Sequence, residues 1–208
     1  MIKRMYRNVR QEMLPGDVIA FGGCGMFSRV VKFATNSNVS HVGIILQTKI
    51  PEDNTGRFFN QIIESTSLDG SNGVTISRFS ERLRNYVGDV WWLPLTDSAR
   101  KRFNQKLFFD FMLEQEGKPY DVPQAIKSAL DSLDGIGLFY NKEDFSKLFC
   151  SELAAAGLEK SEVLPEINAS EVTPIDLCEF LIFKKAVQLK GALDAIRRDP
   201  PMQIRFER

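Results

Sequence analysis

The sequence predicts an α+β protein, with neighbouring strands first and helices after them. Three observations lead there. Short β-branched or aromatic runs follow one another from residue 15 to residue 95, with turn residues between them. The second half changes to helical apolar spacing with cap and stop signals. The 208 residues are enough for a buried core, and no internal repeat, low-complexity tract or linker divides them, so residues 1–208 form one domain.

Taken in order, "PGDVIAF" (15–21) is a turn and then a strand, stopped by "GGCG". In "MFSRVVKFAT" the residues Phe27, Val30, Val31 and Ala34 share a helical face, which predicts a short helix. "SHVGIIL" and "FFNQIIEST" are strands on either side of a polar loop at 51–56. "GVTISRF" and "VWWLPL" (90–95) are two more. "TDSARKRFNQKLFFDFMLEQEG" opens on a Thr/Asp cap, carries an apolar stripe of Ala99, Phe103, Leu107 and Phe111, and stops at Gly117. That spacing predicts one amphipathic helix. "GKPYDVPQ" interrupts, and a helix from about 123 to 131 and a loop in "LDGIGLFYNKEDF" come next. "KLFCSELAAAGLEK" predicts a strong helix, ended by breakers near Pro165. "VTPIDLCEFL" is a short helix with Pro174 in its first turn, and "IFKKAVQLK" is the last strand. The tail "RRDPPMQIRFER" is expected to be extended or mobile.

Lys plus Arg and Asp plus Glu both number 27, and this neutrality argues against a general polyanion binder, so no nucleic-acid partner is expected. Three cysteines without CxxC spacing do not make a disulfide framework; reduced thiols and cytoplasmic synthesis fit best. The N-terminal "MIKRMYRNVRQEMLPG" is basic but has no apolar centre, so a secretory signal is not expected. No run is long enough to span a bilayer. Action outside the cell would then require lysis or incorporation in a particle.

Cys150 directly precedes "SELAAAGL", at the first turn of a helix, where backbone amides favour a thiolate. A cysteine beside Phe and Leu is otherwise a small core residue. A nucleophilic thiol needs a base, and His41 is the only histidine. A lone histidine on a strand more often has a structural role, and one histidine without clustered cysteines or carboxylates does not close a zinc shell, so no metal or cofactor is expected. Glu64 shares a strand face with Asn60, Ile62 and Thr66 and is the candidate to orient the imidazole. The plainer reading is a glutamate facing water. Cys24 sits in the glycine-rich "GGCG" turn, which lacks the GK[ST] ending of a phosphate loop. Cys178 reads as core, and Trp91 and Trp92 as strand packing with one indole at a surface or groove.

In this order, "GDVIAF", "SHVGIIL", "IIEST", "GKPYD", "FCSELAAAGL" and "TPIDL" resemble the circularly permuted branch of the NlpC-type papain-like cysteine hydrolases, the YiiX-like group. The resemblance covers roughly residues 14 to 190, and in that branch the histidine strand precedes the cysteine helix. It implies a permuted papain-like fold, an antiparallel sheet or small barrel packed against the cysteine helix. It also implies Cys150 as nucleophile, His41 as base and Glu64 as third polar residue. Tyr120 matches a pocket or active-site wall position, and Ser40, directly before the histidine, is a further pocket candidate. The backbone N–H of Cys150 is a candidate oxyanion donor. The insert around 51–58 and the "LDGIGLFYNKEDF" segment depart from the pattern as local elaborations.

Three functions follow. The first is a cysteine hydrolase of amide bonds in peptidoglycan or another peptide-like substrate, acting through an acyl-enzyme. The second is a lipid amidase, thioesterase or acyltransferase with the same triad, for which the Phe-rich "LFFDFM" and "IGLFYN" could line an apolar pocket. The third is a catalytically silent module for binding or for assembly within a virion or other particle.

Overall fold

The computed structural model describes residues 2–54, 56–68, 71–119 and 150–198. The helix expected at about 123–131, the "LDGIGLFYNKEDF" loop, Tyr120 and the tail from residue 199 lie outside these. The elements are β1 (Ile2–Lys3), α1 (Tyr6–Val9), β2 (Val18–Gly23), α2 (Met26–Ala34), β3 (His41–Pro51), β4 (Phe58–Leu68), β5 (Ser71–Arg78) and α3 (Phe79–Asn85). Then come β6 (Gly88–Leu93), α4 (Asp97–Arg102), α5 (Gln105–Gln115), α6 (Cys150–Lys160), a 3₁₀ turn (Ala169–Glu171), α7 (Pro174–Cys178) and β7 (Val187–Lys190).

The strands form one seven-stranded sheet in the order β1-β7-β6-β2-β3-β4-β5. Only the short β1–β7 pair is parallel; the others are antiparallel. The ends β1 and β5 do not meet, so the sheet is open and not a small barrel.

Alternation along the strands gives the sheet a core on each face. Val18, Ala20, Val42, Ile44, Trp91 and Leu93 pack with Phe108 and Met112 of α5 and with Leu153 and Ala154 of α6. Their neighbours Ile19, Phe21, Ile45, Ile62 and Trp92 pack on the other side with Val9, Met13 and Phe79. Adjacent Trp91 and Trp92 therefore enter opposite cores, and neither indole lies at the surface. Each buried ring nitrogen has an acceptor: Trp91 Nε1 donates to the Asp194 carbonyl at 2.7 Å, Trp92 Nε1 to Asp17 Oδ2 at 2.9 Å.

The long helix expected from 96 to 117 is two helices. Asn104 accepts from the Leu107 N–H at 3.2 Å and caps α5, while Phe103 leaves helical geometry with ψ at 108°. Beyond the break the register changes. Leu107 is exposed, and Phe108 and Met112 carry the packing. In α2, Val31 is buried as expected, but Ala34 is exposed. β2 continues through Gly23, into the "GGCG" signal, because Gly22 and Gly23 still pair with Asp89 and Gly88 of β6.

Helix α6 is held from two sides. A Cβ on Gly157 would lie 2.1 Å from Met112 Cε, so the glycine lets α5 approach. Ser151 Oγ donates to the Val172 carbonyl at 2.5 Å, just before the capping box of Thr173 and Asp176 that starts α7. The start of α6, where Cys150 sits, is thereby tied down.

Candidate active site

His41 is the first residue of β3 and lies opposite Phe21 of β2. The β3–β4 pairing runs from the hairpin only as far as Ile44–Ile63. On the His41 side of that pair, β4 keeps its ladder with β5, where Glu64 faces Thr75. Cys150 enters where β3 and β4 cease to pair. The Val42 N–H points at its Sγ, 3.4 Å away. So the first residue of the cysteine helix meets the first residues of the histidine strand, 108 positions apart in sequence.

His41 Nε2 donates to Glu64 Oε2 at 2.6 Å. With Nε2 committed, the other ring nitrogen, Nδ1, is buried with no hydrogen-bond partner at bonding distance among the described residues, and Cys150 is the further neighbour that acts on the ring. Gly43 makes room for this approach: a Cβ there would lie 2.6 Å from Ile62 Cδ1 and 3.2 Å from Glu64 Cβ. Glu64 and Cys150 are 0% and 1% exposed and His41 is 4% exposed, so the three interact with little solvent screening.

A fourth side chain completes the group, one that no local pattern marks. Arg82 of α3 donates from Nε to Glu64 Oε1 at 2.7 Å and from Nη2 to Oε2 at 3.1 Å. Its guanidinium lies 4.7 Å from the Phe21 ring centroid and 5.0 Å from that of Tyr86. "FSERLRN" reads as a polar surface turn, and only the tertiary fold brings one of its arginines inward.

Burial acts against charge on both His41 and Glu64, and the neighbours reverse it. For the imidazole, burial lowers the pKa, but the attraction of Cys150, and then the hydrogen bond and charge of Glu64, raise it from 6.5 to about 9. For the carboxyl, burial raises the pKa, but the His41 hydrogen bond and the charge of Arg82 bring it down from 4.5 to about 2. Neutral pH thus finds an imidazolium on a carboxylate.

These shifts set a stability window. The Glu64 contribution is complete above its unfolded value of 4.5 and is lost as pH falls from there toward about 2. The His41 contribution is complete below 6.5 and is lost as pH rises through about 9. The denaturation midpoint of wild type, taken relative to His41→Phe, should therefore hold steady between pH 4.5 and 6.5 and decline as pH rises to about 9. A flat difference across the alkaline range would contradict a raised imidazole.

The other described sequence candidates have settings of their own. Ser40, directly before β3, is buried against β2, its Oγ donating to the Phe21 carbonyl at 3.2 Å and accepting from the Gly23 N–H at 3.1 Å. Cys24 is exposed just before α2. Cys178 ends α7, half-buried, and burial pushes its thiol far above the ordinary cysteine range. Tyr120 lies outside the described residues. Among the described residues no helix is long and apolar enough to cross a membrane.

No family model matches the chain, and no curated protein matches it. Among solved structures, the metalloprotein YiiX from Escherichia coli O157:H7 is similar in fold, with a TM-score of 0.50 and 14% identity. The match covers 82% of this chain and 94% of that one. At that identity the likeness is one of fold: a YiiX-like arrangement of sheet and helices.

Proposed function

We propose that this chain is a cysteine hydrolase that cleaves an amide bond through an acyl-enzyme, with Cys150 as nucleophile, His41 as acid–base group and Glu64 as its orienter. One observation carries the reading: the Cys150 sulfur sits at the start of the strand whose imidazole is held by a buried carboxylate. The sulfur attacks the substrate carbonyl, and the new S–C bond forms as the carbonyl electrons move onto oxygen. The amide N–H of Cys150, in the first turn of α6, donates to that oxyanion. The C–N bond then breaks as imidazolium gives its proton to the leaving amine. Water, deprotonated by the now neutral His41, displaces the sulfur as thiolate and leaves a free acid beside the restored imidazolium.

A peptide-like substrate, with peptidoglycan stem peptides foremost, ranks above a lipid one. Of the two Phe-rich stretches that suggested a lipid pocket, "LFFDFM" puts Phe108 and Met112 into the core, and "IGLFYN" lies outside the described residues. YiiX is a metalloprotein. Here no three His, Cys, Asp or Glu side chains group to hold an ion among the described residues, and both oxygens of Glu64 are taken by Arg82 and His41. This donor set does not fit a metal, and no step is routed through one.

The test is covalent. Wild type and Cys150→Ser are mixed separately with stem peptides, an N-acyl amide and an acyl thioester, quenched in acid and mapped by mass spectrometry. An acyl group replacing the thiol hydrogen of Cys150, in wild type alone, is the expected result, and the probe that delivers it names the substrate class. Adducts on Cys24 only, or on no cysteine, would remove the hydrolase reading and favour a binding role.

A further inference from the structure

Glu64 makes more contacts than an orienting carboxylate needs. Its Oε2 accepts from both His41 and Arg82, and its Oε1 accepts from Arg82, so the guanidinium grips both oxygens. The Arg82 side chain is only 9% exposed. Phe21 joins the two cations physically: its ring packs against the His41 imidazole at 5.3 Å between centroids and carries the Arg82 guanidinium. Tyr86 packs on Phe21 at 4.9 Å, and its ring centroid lies 5.0 Å from the same guanidinium.

Resting on the acyl-transfer reading above, we propose that Arg82 is a positioning residue of the same site, holding Glu64 as an anion and in the one orientation that serves His41 Nε2.

The charge balance explains why such a residue is needed. The groups that face Glu64 are His41 from β3 and Arg82 from α3; Cys150 from α6 acts on His41, and Tyr86, after α3, is the next titratable group, with Cys24 beyond it. A fully buried carboxyl whose sole partner is an imidazole has a neutral alternative, in which the proton moves to the carboxyl and the charge pair vanishes. That alternative leaves Cys150 beside a neutral ring. Arg82 removes it, because a guanidinium keeps its proton and is stabilised only by an ionised carboxylate. Its planar fork also fixes the carboxylate plane, which a lysine ammonium would not do.

The experiment reads the acid side of the site, where an arginine that serves packing alone would have no effect. Iodoacetamide labelling of Cys150 is followed by mass spectrometry from neutral pH down to about 3, still above the Glu64 value of about 2, in wild type, Arg82→Leu, Arg82→Gln and Arg82→Lys. The one histidine of the chain supplies a second readout, since its imidazole ¹⁵N signals need no assignment. In wild type, labelling should persist and the ring signals should stay unchanged across this range. In Arg82→Leu and Arg82→Gln, Glu64 should take up a proton at a pH higher by about 1–3 units, so that labelling falls and the ring signals shift together. Arg82→Lys should return the acid limb toward wild type while leaving the labelling rate below it.

If Arg82→Leu does not fold, Arg82→Gln, which keeps donors and size but not charge, gives the same reading. Acid limbs and ring signals identical to wild type in the neutral variants would overturn the proposal. His41→Ala, run alongside, separates the two ideas. Unchanged labelling in that variant overturns the base itself, whereas lost labelling there with unmoved profiles in the Arg82 variants overturns only the role of Arg82.

Discussion

His41→Ala should lower the rate of Cys150 alkylation near neutral pH, and turnover of any acyl substrate, by about 10²- to 10⁴-fold, the usual contribution of a positioned acid–base group. Cys24, exposed, and Cys178, half-buried, act as internal controls in the same molecule, because neither touches the imidazole. The variant should remain folded. It leaves a cavity beside Phe21, but Glu64 keeps both Arg82 hydrogen bonds, so no buried charge is orphaned. Wild-type turnover should also fall as pH rises through about 9, since the leaving amine needs the proton that the imidazolium then no longer carries. Equal labelling of Cys150 in wild type and His41→Ala would end the catalytic reading of this pair.

The parts of this site that were legible in the sequence are those tied to local pattern. Period-two alternation and β-branched runs marked the strands of His41 and Glu64, and "CSELAAAGL" marked a helix starting at Cys150. The rest depends on tertiary choices that leave no local trace. Arg82 is one of two arginines in "RLR", and nothing local tells which of them turns inward under Phe21 and Tyr86. The break at Asn104 was hidden for a related reason. The stripe Ala99, Phe103, Leu107, Phe111 continues through it, while the competing signal, an asparagine three residues before a leucine amide, is short and common. The pairing of Trp91 and Trp92 with opposite cores was implied by alternation; that both faces of the sheet are covered was not, because the second cover comes from α1 and α3, which are too short to show a periodic face.

The largest stability effect should come from Glu64. In Glu64→Leu, Arg82 keeps its charge at 9% exposure with no carboxylate to accept from it, and His41 loses the acceptor on Nε2. Removing one member of a buried pair costs roughly 3–5 kcal/mol, and denaturant unfolding should show a loss of that size. Glu64→Gln should lose less, because an amide oxygen still accepts one of the donors, though its amide group turns a donor toward the remaining one. The double variant Glu64→Leu/Arg82→Leu then separates structure from chemistry. With both charges gone, a buried apolar pair of similar shape should recover much of the lost stability. It should not recover rapid labelling of Cys150, because the imidazole is left without the anion that fixes its tautomer and favours its charge. If the double variant regained thiol reactivity along with stability, Glu64 would be a folding element only, and the pair of Cys150 and His41 would have to act without it.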